Sequence, residues 1–511
     1  MGMCSAQRRL RSHWDRLERG EIRRLQEAVL QRYLREHVLP FSQHYRELFA
    51  AQGLRAEHIR TLDDLRRIPF TSKLDLLPTA DLHDRTREFV LIPDEQVLAR
   101  RPAVMVQAAL RGREAARRAL AAEYRPVFLT STTGRSTAPV SFLYTQHEID
   151  HLASAGARLV EVLGAKREDR LVNAFPYAPH LAFWQTHYAT LAFGVFSVAT
   201  GGGRVMGTEG NIRIIEKINP QAIIGMPTFV YHLLSEAREH HKRFPALNSL
   251  ALGGEKLADG MRRKLRELVK ALGGSASASV VGTYGFTEGK TAWGECPFPA
   301  EAASGGYHLY PDLGLFEVVD PASGEPVEDG GPGELVYTPL DARGSVVLRY
   351  RTGDVIDGGL FYGRCPHCGR MAPRLVGSIG RQSNKQAMQL DKIKGTLVDF
   401  NELEHVLDDA EAIGGWQLEL RKVHDDPLEL DELILHVESR SRRTHAHLEQ
   451  ELSDAMAART ELRPNAIHFH SAREMRKRQG VGVEMKEKRV IDNRPTEGKP
   501  APPRDVPAGG H

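Results

Sequence analysis

Apolar side chains set the first rhythm of this chain. Leu10, Trp14, Leu17, Leu25 and Val29 recur at three- or four-residue steps, apart from a gap at Gly20. That spacing predicts an amphipathic helix packed on the body of the protein, and residues 5–60 read as helices with short breaks. In TLDDLRRIPFTSKLDLLP, residues 61–78, Pro69 and Pro78 impose extended or turn geometry before them. Residues 95–123 are rich in Arg and Ala and read as helical. From residue 126 short apolar runs alternate with helical stretches: RPVFLT, DRLVNAFP, VFSVATGGG, AIIGMP, SLALGGE and SASVVGTYG are the strands. After residue 305 the pattern turns β-rich, with GLFEVVD, GELVYT and VVLRYRTGDV between Gly, Pro and Asp turns.

Strands alternating with helices imply a mostly parallel sheet with helices on both faces, and ligands in such sheets sit outside the carboxyl ends of the strands. The expected fold class is α/β. A large N-terminal domain, residues 1–380 with a helical lead-in over 1–125, carries mixed or parallel sheets flanked by helices. A small α+β C-terminal domain covers 381–494, and the Pro- and Gly-rich residues 495–511 are expected to be disordered.

Composition narrows the classes. The chain has 511 residues, 41% of them hydrophobic and 26% charged, and 69 Lys plus Arg against 66 Asp plus Glu give a net charge of +3. Nothing in that balance calls for a polyanion, and the basic 95–123 stretch lacks the interleaved aromatics of a nucleic-acid site. No run reaches the ~18 apolar residues of a membrane span. The first 35 residues hold nine Arg and four acids but no apolar segment of the kind a signal peptide needs. Four cysteines cannot build a disulfide framework and fit a reducing, cytoplasmic setting.

Candidate chemistry lies in four loops. FLTSTTGRSTAP, residues 128–139, places six hydroxyl side chains within 130–137, among them Thr130, Ser131, Thr132 and Thr133, around Gly134 and Arg135. Hydroxyls and backbone N–H groups in such a loop can surround phosphate oxygens, although an ordinary turn with Ser/Thr caps has the same composition. Leu129 and Arg135 stand where a Walker loop needs Gly and Lys. SVVGTYGFTEG, residues 279–289, ends a strand with Tyr284, Gly285, Thr287 and Glu288. There an aromatic face can stack on a base, a hydroxyl can bind phosphate and a carboxylate can hold Mg²⁺. LRYRTGDV, residues 348–355, sets Asp354 where it can chelate two ribose hydroxyls, or simply occupy a turn. ALGGEKL, residues 251–257, contributes Gly254 and Glu255.

Taken in order, these motifs resemble the adenylate-forming superfamily of acyl-CoA synthetases, specifically the phenylacetate–CoA ligase family. LTSTTGRST is similar to its phosphate loop, and ALGGE, TYGFTE and YRTGD follow as they do there. IGRQSN, with Arg381, resembles the family hinge, and MKEKRVIDNR resembles the segment that carries a catalytic Lys, here Lys486. Departures are Ser131 for a loop Gly, Arg135 for Lys, Ser383 and Asn384 for hinge acids, and Met485 for the Gly before the Lys. The resemblance implies ATP-dependent activation of a carboxylic acid, preferably aromatic, to acyl-AMP with pyrophosphate release, and then transfer to CoA. An amine or a carrier-protein thiol is the alternative acceptor. A non-catalytic nucleotide-binding scaffold with a zinc knuckle is the alternative of another class. It also implies that Thr287, Glu288 and Lys486 are catalytic, that the small domain swings, and that Tyr177, His180, Phe183 and Trp184 border the acyl site. The expected cofactors and partners are ATP, Mg²⁺, a carboxylic acid and CoA, with a homodimer left open and neither nucleic acid nor membrane.

Cys365-Pro-His-Cys368 is a CxxC knuckle flanked by β and loop patterns, which favours Zn²⁺ over redox work. Cys296 and His308 stand upstream as C-x₁₁-H and would complete a closed, structural Cys₃His site, as related ligases do. His367 is the rival for the fourth ligand.

Overall fold

The computed structural model of the protein describes residues 3–78, 85–99, 101–132, 139–381, 400–423, 431–440, 444–460, 462–481 and 488–493. The N-terminal apolar spacing forms two helices rather than one, α1 (Ser5–Ser12) and α2 (Arg19–Tyr33), parted just before Gly20. Cys4 caps α1, its sulfur accepting the Gln7 amide at 3.4 Å. Leu10, Trp14, Leu17 and Val29 are buried, and Trp14 meets Tyr310 edge to face at 5.4 Å. The lead-in is therefore part of the main core. It continues through α3 (Leu39–Phe41), α4 (Gln43–Ala51), α5 (Glu95–Ala99), α6 (Pro102–Arg111) and α7 (Arg113–Tyr124).

Strands β1 (Pro126–Ser131) and β2 (Ser141–Thr145) pair only with each other, antiparallel, so the first expected strand lies outside the main sheet. Next come α8 (Gln146–Val162), β3 (Arg170–Asn173), α9 (Leu181–Phe193), β4 (Phe196–Ala199), α10 (Gly202–Ile218), β5 (Ala222–Gly225), α11 (Pro227–Glu239), β6 (Ser249–Gly253), α12 (Asp259–Ala271) and β7 (Ser279–Phe286). The β-rich stretch holds β8 (Thr291–Glu295), β9 (Tyr307–His308), β10 (Gly314–Val319), β11 (Gly333–Pro339), β12 (Tyr350–Ile356), β13 (Gly359–Phe361), β14 (Arg374–Val376) and β15 (Ile379–Arg381). Nine strands form one sheet in the order β13-β14-β9-β8-β7-β6-β5-β3-β4, and β10-β11-β12-β15 form a separate antiparallel sheet.

The expectation of a mostly parallel sheet describes only half of it. Strands β3 to β7 are parallel, each return made by a helix. Beyond β7 the pairing is antiparallel, because residues 287–290 make a tight turn too short for a crossover.

The small unit contains α13 (Phe400–Asp409), β16 (Ile413–Lys422), β17 (Asp431–Ser439), α14 (His445–Thr460), β18 (Ala466–His470), α15 (Ala472–Gln479) and β19 (Val490–Asp492). Its four strands run β18-β17-β16-β19 over a separate core that includes Trp416, Leu418, Leu435, Leu448 and Met456. It rests on α11 and α12 through polar contacts: Arg263 with Asp409 at 3.0 Å, His232 with Gln479 at 3.1 Å and Arg476 with Glu236 at 3.5 Å.

Candidate active site

The carboxyl end of β7 meets β12 of the second sheet, where Tyr284 bonds Asp354 and Tyr350 bonds Glu288. Strand β7 delivers Tyr284, and its terminal turn delivers Thr287 and Glu288. Strand β12 runs alongside, and a bulge in its pairing with β11 falls at residues 352–354. Gly353 makes that bulge possible at φ +70°, where a side chain would be strained. The Thr352 hydroxyl accepts the Asp354 amide at 3.0 Å and donates to the Leu335 carbonyl at 2.8 Å. Asp354 is thus held from its own backbone.

Two phenols tie the acids into one site. The Tyr284 hydroxyl donates to Asp354 Oδ2 at 2.9 Å, and the Tyr350 hydroxyl donates to Glu288 Oε1 at 2.7 Å. Arg381 Nε stands 3.1 Å from Asp354 Oδ1, directly across the β12–β15 ladder. Burial, reinforced by Asp354, pushes the Tyr284 phenol far above its ordinary pKa, and burial with Glu288 does the same for Tyr350. Both phenols are therefore fixed donors to their carboxylate partners. The ring of Tyr284 packs against Trp293, nearly parallel at 6.0 Å.

Glu255 follows Gly254, whose φ of +82° lets the chain turn sharply off β6. Its carboxylate accepts the hydroxyl of Thr228 and, at 3.4 Å, the Thr228 amide in the first turn of α11. In the hydroxyl-rich loop, Thr130 is buried and bonds Tyr144 at 3.1 Å, facing away from the cleft. The alternation of β1 accounts for this, because its neighbours 129 and 131 point the other way. Thr132 closes the loop by accepting the Val140 amide at 2.9 Å, and the Ser131 carbonyl meets His180 Nδ1 at 2.6 Å. Thr133, Gly134 and Arg135 lie outside the described residues, as do the hinge positions Ser383 and Asn384 and the catalytic candidate Lys486.

His180 therefore joins the loop to the aromatic segment. Tyr177 is half exposed and donates to the Ala199 carbonyl at 2.8 Å, whereas Phe183 is buried in the core and Trp184 packs on Phe128. Lys73 is a residue that motif reading passes over. The segment before it bridges onto β12, Thr71 pairing with Tyr350. Lys73 feels the charges of Glu288 and Arg381, and burial lowers its pKa. Only the fold could have revealed this, since nearly 300 residues separate it from β12.

On the far side of the sheet, Cys296 follows β8, His308 lies on β9, and Cys365 and Cys368 sit between β13 and β14. Their four ligand atoms lie within 4.8 Å of one another. Cys296 and Cys365 sulfurs are 3.7 Å apart, and Cys368 Sγ is 3.2 Å from His308 Nε2. Two thiolates on one tetrahedral Zn²⁺ stand about 3.8 Å apart, from bonds of about 2.3 Å, so the donor set fits zinc. The other nitrogen of His308 faces the Gly294 carbonyl at 3.3 Å, which orients the ring. His367 is half-buried and its Nε2 meets the Ala303 carbonyl at 2.9 Å instead, leaving His308 as the fourth member.

The family model described as AMP-binding enzyme matches residues 141–339. The chain is 29% identical over 480 residues to a phenylacetate–coenzyme A ligase of Thermus thermophilus, covering 92% of this chain and 93% of that one. It is 26% identical over 357 residues to the Escherichia coli phenylacetate–coenzyme A ligase, covering 67% and 69%. In fold it resembles a 2-hydroxyisobutyryl-CoA ligase in the postadenylation state, with TM-score 0.70, 19% identity and coverage of 97% and 94%. Against that ligase in the thioesterification state the TM-score is 0.58. The chain is thus similar to the AMP-binding enzymes. Among such enzymes its matched relatives are phenylacetate–CoA ligases.

Proposed function

We propose that the protein activates a carboxylic acid with ATP, releasing pyrophosphate, and passes the acyl group of the resulting acyl-AMP to the thiol of CoA. The observation that carries this reading is the paired bonding of Tyr284 to Asp354 and Tyr350 to Glu288 at one strand end. A carboxylate offers about four acceptor positions. Asp354, which accepts from Tyr284 and pairs with Arg381, is the carboxylate that would chelate a ribose diol. Glu288 keeps acceptor positions for a hard, oxygen-seeking cation such as Mg²⁺, which when bound offsets triphosphate charge. Lys73 adds positive charge beside Glu288, and Arg135 supplies the charge that the family's loop Lys supplies.

Attack of a carboxylate on the α-phosphorus joins two anions, and Lys486 is the ammonium that offsets the developing charge. His180 braces the hydroxyl loop against the acyl segment, so acid and phosphate are positioned by one set of contacts. Tyr177 and Trp184 give that pocket an aromatic wall, which favours an aromatic acid. The Cys₃His group holds a structural Zn²⁺ that ties the antiparallel half of the sheet together, and reduced thiols there suit a cytoplasmic protein.

Acid-dependent AMP release, measured over a panel of aryl and alkyl acids with CoA, tests the reading. Thioester formation with an aryl acid supports it. Acyl-AMP that accumulates untouched by CoA points to an amine or carrier-protein acceptor, and AMP release with no acid in the panel rejects the reading.

A further inference from the structure

A second set of metal-ligand side chains lies away from both sites. His147 and His151 stand one turn apart on α8, and Asp341 follows β11. The Nε2 atoms of both histidines face a single oxygen, Asp341 Oδ2, at 3.1 and 3.3 Å. The three ligand atoms lie within 4.8 Å of one another, and the imidazole centroids are 4.3 Å apart. Two ligands at about 2.05 Å from one tetrahedral Zn²⁺ are about 3.3 Å apart, which is the spacing found here.

Neighbouring side chains hold the carboxylate in place. Arg343 Nη2 holds the other oxygen, Oδ1, at 2.8 Å, which fixes the carboxylate and leaves Oδ2 turned to the histidines. Gln7, from α1, brings its side-chain amide to 2.5 Å from the same Oδ2. The two ends of a glutamine amide are interchangeable by rotation, so Gln7 can turn its carbonyl oxygen inward as a fourth ligand. The group borders a cavity of about 20 Å³ of water-accessible volume, lined by Gln7, His147, Asp341 and Arg343 among others, which is room for a water or an ion.

We propose that His147, His151 and Asp341, completed by Gln7, bind a transition-metal dication of the zinc class. The ion pins the N-terminal helix α1 to α8 and to the end of β11. Imidazole nitrogens with a carboxylate select such metals over Mg²⁺ or Ca²⁺. The site stands apart from the nucleotide cleft and the cysteines, so its role is to stabilise the lead-in.

The test uses the full chain dialysed against micromolar Zn²⁺, with metal counted by mass spectrometry. His151→Gln should hold one equivalent fewer than the wild type, and so should His147→Gln. Cobalt reads the two sites separately: the Cys₃His ligands give a thiolate-to-cobalt charge-transfer band, and the His₂Asp ligands do not. The equivalent lost in the histidine variants should be the one without that band. Added Zn²⁺ should also raise the melting temperature of the wild type more than that of either variant. Equal metal content in wild type and variants overturns the proposal, and so does loss of thiolate-bound metal alone.

Discussion

Lys290 follows the Glu288 turn by two residues in the left-handed region, at φ +55°, and is almost wholly buried with Glu148. Its ammonium bonds the Glu148 carboxylate and the Leu143 carbonyl, the latter at 2.7 Å. Glu148 also accepts the amides of Thr145 at 2.8 Å, Gly344 at 2.9 Å and Arg343 at 3.2 Å. One carboxylate thus joins β2, α8, the residues after β11 and the active-site turn. Lys290→Met keeps the volume and removes the charge. Stranding one member of a buried ion pair costs about 3–5 kcal/mol. Three backbone donors remain on Glu148, so the lower end applies, about 3 kcal/mol. For a cooperative unit of roughly 380 residues, at about 2.1 cal/mol/K of unfolding entropy per residue, that is a melting-temperature drop of about 4 °C.

The pH dependence gives a sharper sign. In the wild type, burial raises the Glu148 pKa, but Lys290 and the backbone donors outweigh it, and the net direction is downward from 4.5. A lowered folded pKa contributes stability above the unfolded value and loses it as pH falls through the folded one. Without Lys290, burial dominates and the folded pKa rises. The contribution then reverses: it is fully present below the unfolded value and lost as pH rises through the folded one. The melting-temperature gap between wild type and variant should therefore narrow from pH 7 towards pH 4.5. Adding Glu148→Gln to Lys290→Met should recover part of the loss. A drop under about 1 °C at pH 7, or a gap that widens on acidification, refutes this account of the pair.

Asp354→Ala should raise the KM for ATP by about 10-fold or more, the worth of about 1.5–3 kcal/mol for a hydrogen bond to a charged acceptor. Tyr284→Phe, which spares the carboxylate, should raise it far less, and steady-state kinetics separates the two. Lys486→Ala should slow acyl-adenylate formation about 10²-fold, as loss of one charge-stabilising donor does, while sparing conversion of supplied acyl-AMP to thioester in a single-turnover assay. Lys488→Ala should change neither step, since the resemblance places the catalytic Lys at 486 and the substitution keeps the backbone contacts of Lys488 to Gln417 and Gln479. Cys365→Ser should lose the knuckle's zinc by metal analysis and melt at a lower temperature, with protein that remains folded retaining adenylation.

The parallel half of the large sheet is legible in the sequence because each apolar run is bounded by a Gly- or Pro-marked turn and followed by a helix, as in AIIGMP and SLALGGE. The antiparallel half is not. Strand β9 has two residues and β13 and β14 three each, too short for any period to show. Among the site residues, Glu288, Asp354 and the cysteines stand out by motif and spacing. Thr130 does not face the cleft, because strand alternation turns it into the core. Lys73 and the His147, His151 and Asp341 group are brought together only by long-range packing.

ATP–pyrophosphate exchange without CoA tests the central claim most directly, because it isolates reversible acyl-adenylate formation from the acceptor. The account predicts exchange that requires a carboxylic acid, is strongest with an aromatic one, and falls by orders of magnitude in Glu288→Gln protein that remains folded. Acid-independent exchange, or none with any acid from a chain that binds ATP, would contradict it.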